Sequence, residues 1–142
     1  MKASKRAEDL IKQFESCYLT AYKCPAGVWT IGWGTTGPGI REGLTITQKS
    51  ADYMLKAHIE DISLDLTDIF GKSLEQNEFD AIVCFVYNIG LGAFKKSTMC
   101  KLLLEKKMGQ AALEFDRWVF IKGERSKGLT KRREAEKELF LS

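Results

Sequence analysis

The residues Cys24-Pro25-Ala26-Gly27-Val28-Trp29-Thr30-Ile31-Gly32-Trp33-Gly34, with Glu15 upstream, are the most informative part of this 142-residue chain. Its glycines and proline favour tight turns, and its β-branched and aromatic residues favour strands, so the stretch predicts a short hairpin. Glu15 closes an amphipathic helical segment with apolar positions at Ala7, Leu10, Ile11 and Phe14. A helix end that faces a hairpin forms a cleft. One wall would carry the carboxyl group of Glu15, and the other the thiol of Cys24 and the hydroxyl of Thr30.

The remaining pattern predicts one helix, a β lobe and then a helical lobe. The first helix is expected over residues 4–17, and the β lobe over about residues 18–46, where both prolines and six of the twelve glycines lie. A chain of this length is expected to form one domain, residues 1–142, that buries about 68–70% of its unfolded surface.

The helical lobe is predicted from its caps and its apolar periodicity. Thr47 is expected to cap a helix whose buried face carries Ala51, Leu55, Ile59 and Ile62. A capping box at residues 73–76 precedes an apolar central helix that residues 88–92 end. Ser97 or Thr98 is expected to cap the next segment, and two more helices are expected over about residues 109–118 and 129–140.

The residues Phe14-Glu15, Ala21-Tyr22 and those from Ala26 to Gly34 resemble the phage-type lysozymes, glycoside hydrolase family 24. The family pattern is a Glu, an Asp nine residues later and a Thr six residues beyond. Glu15 and Thr30 fit this spacing, while Cys24 stands at the Asp position. The family's usual Gly-Tyr-Gly-His ending also differs, since it reads Gly32-Trp33-Gly34-Thr35 here.

Later motifs extend the resemblance over nearly the whole chain and in the expected order: Asn88-Ile89-Gly90, Phe94, Ser97-Thr98, Trp118 and Gly128-Leu129-Thr130-Lys131-Arg132-Arg133. The resemblance implies an α+β, predominantly helical, lysozyme-like fold with a small antiparallel β lobe. It also implies that Phe94 and Ser97 line a sugar-binding cleft. Either Arg132 or Arg133 is expected to form an ion pair with Glu15, because a guanidinium suits bidentate contact with a carboxylate.

The catalytic roles implied by the resemblance begin with Glu15 as the acid that protonates the leaving oxygen of a glycoside. Cys24 has three open roles: an anion that stabilises positive charge, a nucleophile, or a bystander. An ordinary thiol has a pKa of about 8.5, and a neighbouring carboxylate would raise it unless Thr30 or backbone N–H groups counter that effect. We therefore expect activity to depend on the ionisation of Cys24 and to be lost on thiol alkylation. Thr30 is expected to hold a water molecule near Cys24.

The cysteines and the single histidine predict no metal site and no cofactor. Cys17, Cys24, Cys84 and Cys100 show no metal-ligand spacing, and His58 stands alone. Cys84 lies in an apolar run and is expected to be buried. Reduced thiols are expected. A disulfide between Cys17 and Cys24, which would mask the catalytic thiol, stays open as an alternative.

Charge is unevenly distributed along the chain. The net charge is only +3, but residues 122–133 contain six basic residues against Glu124 alone. Such a run fits either a polyanion-binding patch or a solvated helix start. Nucleic acid is not favoured, because no base-stacking motif or recognition helix accompanies it.

The function expected from the resemblance is a muramidase that cuts peptidoglycan glycan strands. Two alternatives stay open: a lytic transglycosylase on the same bond, and a non-catalytic peptidoglycan-binding protein in which Cys24 cannot replace Asp. Residues 1–9 are basic without an apolar core, so neither a secretory signal nor membrane insertion is expected. A monomer is expected, made in the host cytoplasm and dependent on a holin-type pore to reach the wall.

Overall fold

Seven α-helices and two small antiparallel sheets form the fold in the computed structural model, which describes residues 1–142. The elements are α1 (Lys5–Phe14), β1 (Tyr18–Lys23), β2 (Trp29–Gly32), α2 (Gln48–Phe70), α3 (Gln76–Ile89), α4 (Leu91–Lys95), α5 (Thr98–Leu104), α6 (Met108–Leu113), a 3₁₀-helix (Glu114–Arg117), β3 (Phe120–Ile121), β4 (Glu124–Arg125) and α7 (Lys127–Leu141). The predicted α+β, predominantly helical class is confirmed. None of the helices combines the length and the apolar character that crossing a membrane requires.

Helix α1 ends at Phe14, three residues before the predicted end. Ser4 caps its start, and Ala7 and Ile11 are fully buried on its inner face. Glu15 adopts an extended backbone (φ −92°, ψ 136°), while its N–H still bonds to the carbonyl of Ile11 at 2.8 Å. The prediction of a helix over residues 4–17 is therefore wrong at its C-terminus. The chain leaves the helix at Glu15, which places this side chain at the helix end.

The β lobe contains the predicted hairpin. Strands β1 and β2 pair antiparallel, with Tyr22 opposite Thr30 and Lys23 opposite Trp29. In the turn between them the N–H of Gly27 bonds to the carbonyl of Cys24 at 2.8 Å. A bridge between Thr20 and Thr45 closes the lobe, and its extent of about residues 18–46 stays a prediction.

Helix α3 is the centre of the helical lobe. All its residues from Phe79 to Tyr87 are buried, and it packs against α1, α2 and α7. The ring of Phe85 lies edge-on to those of Phe94, Phe115 and Trp118. The predicted buried face of α2 is confirmed, and Thr47 caps that helix by accepting the N–H of Ser50 at 3.1 Å.

Several helix ends differ from the prediction. Helix α3 starts two residues later than the predicted cap Ser73 implies: Glu75 is the N-cap, and its N–H bonds to the Glu78 carboxylate at 2.8 Å. Ser97 is confirmed as the cap of α5. The helix expected over residues 109–118 is a short α6 followed by the 3₁₀-helix, and α7 begins at Lys127. The hairpin of β3 and β4 was not predicted.

The six basic side chains of residues 122–133 do not all lie on the protein surface. Arg132 and Arg133 are 3% and 1% exposed, because both guanidinium groups pair with the buried Glu136. The other four basic side chains of the run are exposed. The interpretation of the whole run as a patch or a solvated helix start is therefore wrong for its last two residues.

Candidate active site

Glu15 lies in a tight polar site at the end of α1. Its carboxylate pairs with Nη1 of Arg132 at 3.2 Å, and its side chain is 23% exposed. On the other side, a β-carbon added to Gly34 would lie 3.0 Å from Glu15 Oε2. Gly34 also has φ +92°, a backbone conformation that favours glycine. The bare backbone of Gly34 therefore makes room for the carboxylate.

Of the two arginines expected near Glu15, the structure selects Arg132. The guanidinium of Arg133 bonds instead to Asn88 Oδ1 at 2.7 Å and pairs with Glu136 Oε1 at 2.8 Å. Neighbouring residues of a helix point about 100° apart, so only one of the two can face α1.

Three groups hold the guanidinium of Arg132 in place. Its Nη1 contacts Glu15, its Nε pairs with Glu136 Oε2 at 3.2 Å, and its Nη2 donates to the carbonyl of Cys84 at 3.1 Å. Burial raises the pKa of Glu136, while the guanidinium groups of Arg133 and Arg132 act in the opposite direction. Sequence reasoning missed Glu136. The signal was its spacing on α7, four residues after Arg132 and three after Arg133.

Cys24 lies at the start of the hairpin turn and is partly exposed. Hydrogen bonding from the backbone N–H groups, first of Val28 and then of Ala26, lowers the pKa of its thiol, although desolvation opposes this shift. A hydrogen bond from the Thr30 side chain lowers the pKa further, and the expected rise caused by Glu15 is not among the effects on this thiol. The turn favours the thiolate form of Cys24.

Thr30 is 5% exposed, and its hydroxyl donates to the carbonyl of Val28 at 3.0 Å. A hydroxyl has one proton and two lone pairs. The same side chain also hydrogen-bonds the thiol of Cys24 and lowers its pKa, while the lone pairs of the hydroxyl can accept a hydrogen bond from a water molecule. This geometry is compatible with the expected role of holding water.

Tyr22 is a residue to which the sequence assigned no role, although the Ala21-Tyr22 motif contains it. Burial raises the pKa of its phenol, and the charges of Tyr18, Glu15 and Cys24 raise it further. Its ring lies 4.3 Å from that of Tyr18, centroid to centroid. Tyr22 thus lies within the electrostatic field of both walls of the cleft and keeps a phenol proton there.

Phe94 and Ser97 are placed away from Glu15. Phe94 is fully buried between Phe70 and Phe85, so the expectation that it lines a sugar-binding cleft is wrong: its ring has no exposed surface. Ser97 accepts the N–H of Cys100 at 3.1 Å as the cap of α5 and lines a surface depression together with Trp118. A contact of Ser97 with sugar stays a prediction.

A cavity of about 280 Å³ lies beside Glu15, and Phe14, Asn88, Ile121 and Arg132 line it. Ile121 belongs to the unpredicted hairpin of β3 and β4. The cavity therefore joins the end of α1 to the start of α7.

All four cysteines are free thiols. Cys84 is fully buried, as predicted, and lies against Arg132. The thiol of Cys17 contacts the side chain of Gln48, with Nε2 at 3.7 Å. The structure therefore contains no Cys17–Cys24 bond.

Solved structures define the class of this protein. Its fold matches the muramidase domain of SpmX from Asticaccaulis excentricus with a TM-score of 0.89 and 35% identity, over 99% of this chain and 98% of that one. It matches a mutant of P22 lysozyme with a TM-score of 0.83 and 31% identity, over 100% and 99% of the two chains. The fold is that of a lysozyme.

Residues 12–136 match the family described as phage lysozyme, and the chain belongs to that family. It is 40% identical over 146 residues to an endolysin of Acyrthosiphon pisum secondary endosymbiont phage 1, covering all of this chain and 99% of that one. It is 38% identical over 144 residues to an endolysin of Bacillus phage PZA and spans 56% of that protein's length.

Proposed function

We propose that this protein is an endolysin that hydrolyses the β-1,4 bond between N-acetylmuramic acid and N-acetylglucosamine in peptidoglycan. The observation that carries the proposal is the pair of Glu15 and Arg132 at the end of α1, next to a hairpin whose turn favours the thiolate of Cys24. Membership of the phage lysozyme family supports the substrate class.

Glu15 is proposed as the general acid. Protonated Glu15 gives its proton to the glycosidic oxygen as the bond to the sugar carbon breaks, and positive charge develops on that carbon. The carboxylate left behind is an anion in a partly buried site. Arg132 is already in contact at 3.2 Å and pairs with this anion as it forms.

Cys24 is proposed to act as a thiolate anion that stabilises the developing positive charge. A water molecule that donates a hydrogen bond to Thr30 then attacks the sugar carbon, and its proton passes to the thiolate of Cys24. Direct attack by the thiolate would give a covalent intermediate instead. Detection of such a glycosyl–Cys24 intermediate by mass spectrometry would show that the thiolate attacks the sugar carbon and that water attacks only afterwards.

The mass of the products tests the proposal. Purified peptidoglycan digested by the protein should release fragments that carry one added water per cleaved bond and a reducing N-acetylmuramic acid end. Fragments of unchanged total mass with an anhydro sugar would identify a lytic transglycosylase. Binding without release of fragments would identify a non-catalytic wall-binding protein.

We also propose that the protein acts as a monomer and reaches the wall through a holin-type pore. This proposal rests on the family resemblance. The chain is also 30% identical over 120 residues to a SAR-endolysin of Enterobacteria phage PA-2. A direct test of the route to the wall is therefore needed. Expression in the host without any pore-forming partner should leave the cells intact, and lysis under that condition would contradict the proposal.

A further inference from the structure

One carboxylate oxygen of α2 contacts side chains from three segments around the active site. Oδ1 of Asp52 accepts the indole N–H of Trp33, the residue after β2, at 2.8 Å. It also accepts a hydrogen bond from Nε2 of Gln48, one turn earlier on α2, at 3.1 Å. Nζ of Lys12 on α1 lies 3.8 Å from the same oxygen. Asp52 therefore connects α1, α2 and the end of the hairpin.

The α1 contacts hold the chain on both sides of Glu15. Lys12 lies three residues before Glu15, and Cys17 lies two residues after it. Nε2 of Gln48 donates to the sulfur of Cys17 at 3.7 Å with the same amide group that reaches Asp52. The end of α1 is therefore connected to α2 through side chains that meet at Asp52.

The hairpin contact fixes Trp33, which sets the position of Gly34. The carbonyl of Trp33 accepts the phenol proton of Tyr87, and its indole is held by Asp52, so both ends of the residue are fixed. A β-carbon on Gly34 would lie 3.0 Å from Glu15 Oε2. A movement of Trp33 would therefore change the room that the Glu15 carboxylate has.

The donors around Asp52 favour its ionised form. Hydrogen bonding from Trp33 and then from Gln48 lowers the pKa of its carboxyl group, desolvation opposes this shift, and the charges of Lys12 and Lys56 lower the pKa further. Hydrogen bonds that involve an ionised partner are about twice as strong as neutral ones. The contact with the indole of Trp33 is therefore of the stronger kind.

We infer that Asp52 is a positioning residue of the active site: through Trp33 it keeps Gly34 against Glu15 and so holds the acid in place. This inference rests on the proposed function. A positioning role predicts lower turnover by the folded protein, because a misplaced acid is poorly aligned with the glycosidic oxygen. A purely structural role predicts lower stability with unchanged turnover by the protein that stays folded.

The values of kcat and KM on soluble peptidoglycan fragments test the inference. The variants are Asp52→Ala, Asp52→Asn, Trp33→Phe and the double variant of Asp52→Ala with Trp33→Phe. Asparagine keeps an acceptor oxygen for the indole N–H, whereas phenylalanine keeps an aromatic ring near Lys12 but has no N–H. Asp68→Ala is the matched control, because it removes an exposed carboxylate from the same helix. All are assayed under conditions in which urea denaturation shows each of them to be folded.

Asp52→Ala and Trp33→Phe should each lower kcat roughly tenfold, with KM changed by less than about twofold. The double variant should lie no more than about twofold below Asp52→Ala, because both changes remove the same hydrogen bond. Asp52→Asn should keep kcat within about threefold of the native protein, since the acceptor oxygen remains. Asp68→Ala should match the native protein.

Three results would overturn the inference: native kcat in Asp52→Ala, a double-variant loss equal to the product of the two single losses, or a loss in Asp52→Asn as large as that in Asp52→Ala. Failure of the proposed function is visible in the native protein itself. If the native protein releases no fragments, both proposals fail. If its fragments end in an anhydro sugar, hydrolysis alone fails, because the variants then report on the same acid.

Discussion

At the residue scale, the proposed chemistry depends on how one short turn shifts the pKa of the Cys24 thiol. Hydrogen bonding within the hairpin, chiefly from the backbone of Val28 and also from Ala26 and Thr30, lowers the pKa of the Cys24 thiol against the opposing effect of desolvation. A carboxylate is ionised at neutral pH without such help. The turn thus lowers the pKa of the thiol part of the way towards the low pKa that an aspartate has without help.

The pH dependence of thiol alkylation checks this account of Cys24. Because its pKa is lowered in the folded protein, Cys24 should form the reactive thiolate at a lower pH than the same thiol in the unfolded chain. The rate of carboxymethylation of the Cys24 peptide, followed by mass spectrometry from pH 6 to pH 10, gives the midpoint. The chain unfolded in urea is the control. A folded-state midpoint equal to or above the unfolded one would refute the role of the turn.

Gly34 gives a second test at the residue scale. Gly34→Ala should lower activity more than about tenfold, because the new β-carbon would lie 3.0 Å from Glu15 Oε2 and displace the carboxylate. The left-handed backbone should also cost about 1–2 kcal/mol of stability. Gly39→Ala is the matched control, since Gly39 has φ +87° and open space around its α-carbon. If both variants lose equal activity, backbone strain alone explains the loss.

The sequence predicts these residues only in part. The helix end at Glu15 and the hairpin that carries Cys24 and Thr30 are predictable because both are local structures. The choice between Arg132 and Arg133 depends on the rotation of α7 against α1, which is set by packing between distant segments. Phe94 was misplaced for the same reason: its burial depends on contacts with α2 and α3.

At the element scale, α7 holds the acid's partner through a buried ion cluster. Glu136 is fully buried and contacts Arg132 at 3.2 Å and Arg133 at 2.8 Å. A buried charge that loses its partner is left without solvent or counter-ion. One side chain of α7 thus stabilises the helical lobe and orients the guanidinium that meets Glu15.

Glu136→Gln should lower the free energy of unfolding by about 3–5 kcal/mol, because two buried guanidinium groups lose their shared anion. Urea denaturation measures the change. Glu138→Gln is the matched control: it removes the same charge from an exposed position of α7 and should change stability by less than about 0.5 kcal/mol. Equal stability of the two variants would show that the buried cluster contributes nothing.

Element ends were predicted less well than element types. The end of α1 at Phe14 and the start of α3 after Glu75 follow from backbone turns into neighbouring elements. Several side chains in each region can serve as a cap, so the sequence alone does not choose among them. The strands β3 and β4 have two residues each, which is too short for a periodic pattern to reveal.

At the scale of the whole molecule, the cleft depends on how the β lobe is fastened to the helical lobe. The indole N–H of Trp33 donates to Asp52 of α2 at 2.8 Å, and Tyr87 of α3 donates its phenol proton to the carbonyl of Trp33. Gly34, next to Trp33, then meets Glu15. The residue after β2 thus ties the hairpin wall to both long helices, and this brings the thiol-bearing lobe to the acid-bearing helix.

Clearing of outer-membrane-permeabilised Gram-negative cells under reducing conditions shows whether Glu15 and Cys24 together carry the activity. The native protein and three variants, Glu15→Gln, Cys24→Ser and Cys24→Asp, are compared at equal concentration after folding has been checked. We expect clearing by the native protein and by Cys24→Asp. We expect losses of at least about 10²-fold in Glu15→Gln and Cys24→Ser, which lack the acid and the anion respectively. Clearing by Cys24→Asp alone, or undiminished clearing by Cys24→Ser, would contradict a catalytic thiolate at this position.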